Sequence, residues 1–409
     1  MPMTRPLSIL HSLKEGACVV SQLTTSRLPS LTGMRFIAAA MVFAVHGAAA
    51  GAFRDTHVAA DYYRYFGNAG AVGVSFFFIL SGFVLTWSVR PADTVWNFWR
   101  RRIVKIFPSH VVTFVAAVVL LSLTSTAIAF PQTLGNLFLL HAWLPDNSYI
   151  ETANTVSWSL SVELLFYLSF PLLIKVINKI ESNRLWYMAG GVVLLILVIP
   201  VVAHALLPDT PKFSFTELSW TQIWFVYVFP VVRLLEFLLG MLMSRIVLTG
   251  RWIRLGIVPP ALLGVMVYVA SIHIEHDPLY NYVALTVIPL ALLISAAAAA
   301  DVRGQWTWLS MRPMVWLGEI SFAFYLVHSL VLKFGHRAFG AQPNMFGQPS
   351  GPAWSTPGGI AFLVGCFGVS IVLAWALYTL VEQPAMRRWA RPRDSSPRSL
   401  RSGVATDAA

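Results

Sequence analysis

The chain has 409 residues, of which 57% are hydrophobic and only 11% Asp, Glu, Lys or Arg. A soluble domain carries about 25% charged residues, so composition excludes an ordinary soluble protein and indicates an all-α, polytopic membrane fold. The net charge of +11, which in a soluble protein would suggest nucleic acid, is read here as basic loops on one side of a bilayer, with no nucleic-acid partner.

Roughly ten apolar stretches of spanning length follow one another, at 33–53, 66–88, 107–130, 158–178, 186–206, 222–245, 255–272, 281–300, 314–334 and 358–381. Residues 1–30 lack the unbroken apolar core of a signal peptide and are expected to form a flexible cytoplasmic lead-in. The ten-helix domain then covers 31–389, and 390–409 reads as a disordered basic tail rich in Pro and Ser. Most of the 29 Lys and Arg residues fall on alternate connecting segments. Only Arg54, Arg64, Lys212, Lys333 and Arg337 fall on the others, and Arg233 lies within a span. By the positive-inside bias both termini are expected in the cytoplasm of a cell (plasma) membrane. Cys18 and Cys366 are too far apart to suggest a metal or redox motif, and no metal-ligand spacing is present.

The first span, LTGMRFIAAAMVFAVHGAAAG, carries Arg35 near its start and His46 eleven residues on. At 1.5 Å per residue these lie about 16 Å apart along the axis, placing His46 well inside the bilayer. An ionisable group there is a functional candidate. The second span holds the small residues Gly73, Ser75, Ser81 and Gly82, suited to close helix packing. Next comes NFWRRRIVKIFP, where Arg100, Arg101, Arg102 and Lys105 alternate with aromatic and aliphatic residues. That mix fits an interfacial segment on anionic lipid, or cations offered to the phosphates of a cytoplasmic ligand.

The connection Pro131–Thr155 is apolar at its start and is expected to dip into the interface. The fourth span opens VSWSLSVELLFY and places Glu163 in its outer part. The ninth, GEISFAFYLVHSLVLKF, puts His328 in its outer half. His46, Glu163 and His328 all come out within roughly 10 Å of the outer boundary, a candidate acid/base cluster whose facing depth alone does not fix. In the sixth span Arg233 and Glu236, at i and i+3, share a helix face. They form an internal ion pair, or Arg233 faces a polar cavity and holds an anionic ligand. His110, His141, His204, His273 and His276 fall near span ends or loops and are assigned no role. The loop Gly335–Gly359 reads as irregular and external.

Taken in order, several motifs resemble the acyltransferase-3 family of bacterial integral membrane O-acyltransferases. They are Arg35-(ten residues)-His46, SGF at Ser81, Gly82 and Phe83, RRxxKIFP at Arg101–Pro108, and SWSLSVE..FY, containing Ser161 and Glu163. RLLEFLLG at Arg233–Gly240, the stretch ending at His328, and VEQP at Val381–Pro384 complete the set. The resemblance runs from about Leu28 to Trp389. It implies an acyl-CoA donor such as acetyl-CoA and a hydroxyl acceptor. Some members carry an added SGNH-type domain, and its lack here points to a stand-alone enzyme. The wording is most similar to actinomycete enzymes that acylate macrolides or their sugars, with a surface glycan as the alternative acceptor. By position in the motifs, His46 is the implied general base, Glu163 its orienting or acceptor-contacting partner and His328 a further catalytic member. Arg35, Arg101, Arg102, Lys105 and Arg233 are the implied donor-binding cations. A proton-coupled exporter would show buried His, Glu and Arg as well, yet paired halves with broken helices are not evident.

Overall fold

A computed structural model describes residues 28–90, 93–124, 129–213, 216–340 and 353–390. The proposed lead-in up to residue 27, the tail from 391, Cys18 and much of the loop 335–359 lie outside the described residues. Ten long helices carry the fold: α1 (Pro29–Ala49), α2 (Ala69–Trp87), α3 (Val95–Leu123), α4 (Trp158–Asn178) and α5 (Leu185–Leu206). The others are α6 (Pro230–Leu248), α7 (Val258–His273), α8 (Val287–Val302), α9 (Arg312–Ala338) and α10 (Thr356–Leu377). Among the described residues, nine helical stretches are long and apolar enough to cross a membrane, and α7 is a shorter apolar helix of 16 residues. The chain is a polytopic all-α membrane protein.

Helices in lipid gain little from apolar burial against each other and depend on close packing. α2 packs against both α1 and α6, and α1 packs against α9, which in turn meets α10. At the α2–α6 crossing, a Cβ on Gly82 would lie 2.0 Å from the Phe237 carbonyl oxygen, and one on Gly240 would lie 1.9 Å from that of Ile79. Only glycine fits either place, which explains why SGF and RLLEFLLG each carry one. Phe83 is fully buried beside this crossing and stacks on Trp87.

Other helices have the opposite surface. α5 and α7 are apolar yet expose Leu194, Leu195, Val258, Leu262, Val265 and Met266. A helix apolar all round, with such side chains outward, fits lipid as its solvent.

Between α3 and α4 the chain makes short helical turns at Phe130–Leu137, His141–Trp143, Asn147–Ile150 and Thr155–Ser157. They are pinned to the bundle by buried polar groups. His110 Nε2 lies 3.1 Å from the Asn136 carbonyl, and the Asn136 amide donates to Ser157 Oγ at 3.0 Å. The Asn154 amide donates to the Leu326 carbonyl at 2.9 Å. Ser161 Oγ donates to the carbonyl of Leu139, which has a positive φ of 58°. His110 and His141, fully buried, therefore brace this segment, a structural part that their place near span ends did not suggest. The expected irregular loop from Gly335 begins later than its composition suggests, because α9 continues to Ala338.

Candidate active site

Two polar centres lie within the bundle. The first joins α1 and α9. His46 Nδ1 lies 2.9 Å from the Val42 carbonyl oxygen and 3.1 Å from His328 Nε2. His328 Nδ1 lies 3.2 Å from the Phe324 carbonyl oxygen. A carbonyl can only accept, so in the neutral pair both Nδ1 atoms carry the hydrogen. The His46 Nδ1–H is then shared between Val42 O and His328 Nε2, and His46 Nε2 keeps its lone pair. His328 is fully buried, against Phe324 and Tyr325, whereas His46 is partly exposed. A buried imidazole thus orients an accessible one and leaves a basic nitrogen free.

The second centre is a cavity of about 170 Å³ bounded by α1, α2, α3, α4 and α9. Its polar lining comprises Arg35, Ser81, Arg102, Lys105, Ser159, Glu163, Tyr167 and Tyr325, with Val74, Leu80, Leu85 and Leu160 among its apolar walls. Glu163 accepts a hydrogen bond from the Tyr167 hydroxyl, one helical turn away, and a longer one of 3.5 Å from Ser81 Oγ. The Arg102 guanidinium lies over the Tyr167 ring at 5.7 Å and over Phe98 at 5.6 Å. This gives a carboxylate, three cations and several hydroxyls in one partly apolar chamber.

The structure therefore divides the cluster of two histidines and one glutamate expected from depth. The histidines meet, while Glu163 faces the cationic chamber with Arg35, and no hydrogen bond joins it to either histidine among the described residues. The reason is local. The first turns of α4 are buried beneath the folded segment 130–157, with Trp158, Ser159 and Ser161 all inside the protein. Depth along a span does not set which way a side chain faces, and under this cover Glu163 faces the chamber rather than the histidines.

Tyr325 stands between the two centres. Its hydroxyl donates to the Val156 carbonyl at 3.0 Å and accepts from Ser159 Oγ at 2.8 Å. Its ring centroid is 5.8 Å from that of His328, and its side chain lines the chamber. The stretch NTVSWS thus fixes the position of Tyr325 through Val156 and Ser159. Neither Tyr325 nor Tyr167 stood out as a site residue in the sequence. The available signals were their helical spacings, Tyr325 three residues before His328 and Tyr167 four after Glu163.

The basic residues also divide. Arg35, Arg102 and Lys105 line the chamber, whereas Arg101 turns away and pairs with Asp93. That hydrogen bond and the Arg101 charge hold the Asp93 carboxyl below the usual carboxylate range. Arg233 is outside the chamber lining as well. It is fully buried, 2.9 Å from Glu236 and 3.2 Å from Ser75 Oγ, with its guanidinium over Phe78 at 4.9 Å and Tyr227 at 5.5 Å. Of the two readings of Arg233, this geometry matches the internal ion pair. Lys105 pairs with Glu382, the acid of VEQP.

A multi-pass helical bundle with an oriented histidine beside a cation-lined chamber is an arrangement suited to a membrane enzyme. The acyltransferase family model, Acyltransferase domain, matches residues 28–379, and the chain belongs to the acyltransferase-3 family. It is 40% identical to acyltransferase MdmB of Streptomyces mycarofaciens over 372 residues, which is 90% of this chain and 94% of that one. It is 26% identical to the exopolysaccharide production protein ExoZ of Rhizobium meliloti over 78% of this chain and 90% of that protein. With O-acetyltransferase OatA of Staphylococcus aureus it shares 24% identity over 65% of this chain and 47% of the relative. No solved structure matches. The protein is an acyltransferase that transfers groups other than aminoacyl groups, which sets the exporter reading aside.

Proposed function

We propose that this enzyme moves a short acyl group from acyl-CoA to a hydroxyl of a sugar or glycosylated natural product such as a macrolide. It works in the plasma membrane of a bacterium, with its basic end in the cytoplasm. The observation that carries this reading is α1 itself. One helix sets Arg35 in the cation-lined chamber and, eleven residues on, presents His46 with an Nε2 unengaged among the described residues.

In this reaction the acceptor hydroxyl oxygen attacks the thioester carbonyl while His46 Nε2 removes its proton. The tetrahedral adduct collapses, the carbon–sulfur bond breaks, and the proton on His46 passes to the departing CoA thiolate. His328 holds the ring so that Nδ1 stays protonated throughout. Arg35, Arg102 and Lys105 attract the donor phosphates, and the apolar walls of the chamber suit the pantetheine arm. The acyl end then passes the Tyr325 layer to reach the histidine. Glu163, bound by Tyr167 and facing the cations, is better placed to order the chamber than to orient His46.

The macrolide-type acceptor is favoured by the motif wording, and the extent of the likeness to the Streptomyces acyltransferase supports acyl transfer itself. The weaker likeness to the exopolysaccharide protein keeps a surface glycan as the competing acceptor. Membranes holding the wild type or His46→Ala, fed labelled acetyl-CoA and propionyl-CoA, test both points. Label on a macrolide that depends on His46 supports the reading. Label on extracted glycan moves the acceptor to the cell surface, and wild-type activity in His46→Ala at equal protein level removes the base.

A further inference from the structure

A second, more open cavity of about 370 Å³ adjoins the chamber, and Arg35 and Lys105 line both. These two cations therefore form the wall between an outer vestibule and the inner chamber. The vestibule adds Arg387, Glu319 and Glu382, so its cations outnumber its carboxylates three to two. Glu382 is unusual among these. Its side chain is only 2% exposed, against 27% for Lys105. One carboxylate oxygen binds Lys105 Nζ, and the other is buried without a hydrogen-bond partner among the described residues. A short π-helical segment, Tyr378–Glu382, brings this acid inward before Gln383–Trp389 resumes α-helical winding. Such local bulges occur often at functional sites.

An acid held on the one lysine that joins two cavities occupies the place a ligand anion would need. We propose that Glu382 is an internal stand-in for phosphate: without donor its carboxylate holds Lys105, and a donor phosphate entering the vestibule takes Lys105 from it. Arg35 and the exposed Arg387 supply the neighbouring positive charge. The inference rests on the acyl-CoA reading above and deepens it, since it assigns the phosphates farthest from the thioester to the vestibule and the rest of the carrier, toward the acyl end, to the chamber side. Phosphate has more charge and more acceptor oxygens than a carboxylate, so the exchange favours the ligand. Once released, Glu382 no longer ties α3 to the segment after α10, and the wall between the cavities can widen for the pantetheine arm.

The direction of the effect separates this role from simple bracing. In Glu382→Gln the competitor loses its charge while side-chain size is retained. Purified full-length protein in detergent should then bind CoA about three- to tenfold more tightly, the range one partly exposed charge pair supports. Its affinity for pantetheine, which lacks phosphate, should not change. Arg387→Gln, at an exposed position, should weaken CoA by a similar factor and again leave pantetheine unchanged. It serves as the second arm if Glu382→Gln does not fold. Wild type that binds CoA, with Glu382→Gln binding it equally or more weakly, overturns the stand-in while leaving the donor reading intact. If Glu382→Gln does not fold, unchanged CoA affinity in Arg387→Gln overturns the vestibule assignment. A lipid headgroup offers the same phosphate chemistry, so phosphatidylglycerol micelles form a third arm. Wild type stabilised by phosphatidylglycerol but not by CoA overturns both the donor reading and the proposal built on it.

Discussion

Two ion pairs in this bundle have the same chemistry and opposite settings. Arg233 and Glu236 are sealed, both 0% exposed, at the close α2–α6 crossing. Among the described residues Arg233 Nε and Nη1 have no hydrogen-bond partner, and the guanidinium lies between aromatic faces instead. Lys105 and Glu382 stand at a wall shared by two cavities, where a ligand can reach the lysine. A sealed pair cannot exchange partners without exposing a bare charge to a dry interior. A pair on a cavity wall can, because an incoming anion replaces the leaving one. Burial of a charge therefore says little about function until the space beside it is known.

The largest effect should come from breaking the sealed pair. Arg233→Leu strands Glu236 and should cost about 3–5 kcal/mol, read as a large fall in the thermal unfolding midpoint in detergent. Arg233→Leu with Glu236→Leu should recover much of it, because an apolar pair needs no counter-charge. Next is the crossing that seals it. Gly82→Ala forces a methyl group against the Phe237 carbonyl and should cost about 1–3 kcal/mol, measured in the same way. A smaller effect separates adjacent arginines. Arg102→Gln, at the chamber, should raise the acyl-CoA KM by about tenfold, near 1.4 kcal/mol, whereas Arg101→Gln should change it less than twofold. The smallest concerns the Arg101–Asp93 pair. Because Arg101 holds the Asp93 carboxyl below its ordinary range, the pair stabilises the fold above that range and is lost as pH falls through the lowered value. Surface pairs of this kind contribute at most about 1 kcal/mol. Asp93→Asn should therefore shift the unfolding midpoint slightly at neutral pH and not at all in strong acid.

How much of this was legible in the sequence depended on spacing. Arg233 and Glu236 sit three apart on one helix, so helical geometry offered their pairing as one of two readings. His46 and His328 are 282 residues apart, yet both were marked by lying deep in apolar spans, and counting residues from the inner ends placed them at one level. The count left the facing of Glu163 open, and its place apart from the histidines goes with the segment 130–157 folding back over the start of its helix, held by Asn136, Asn154 and Ser161, a cover no local pattern announces. The partner of Lys105 lies 277 residues away in VEQP. That motif was visible as a match to the family, but nothing local in it points to a lysine on α3. Nine of the ten apolar stretches correspond, among the described residues, to helical stretches long and apolar enough to cross a membrane, and the remaining one to the shorter α7, since length and hydropathy report them directly. Which faces turned toward each other was set by glycine contacts and buried hydrogen bonds, and these are tertiary.

The measurement that tests the account most directly is acceptor-dependent release of free CoA thiol by purified wild type and His46→Gln, with CoA binding measured on the same samples. Glutamine retains polarity and approximate size but cannot act as a base. With His46 as the base, CoA affinity is unchanged in His46→Gln and turnover falls by about 10²–10⁴-fold, the usual worth of a positioned general base. Turnover in His46→Gln within a few-fold of wild type, with CoA still bound, would contradict the assignment of His46.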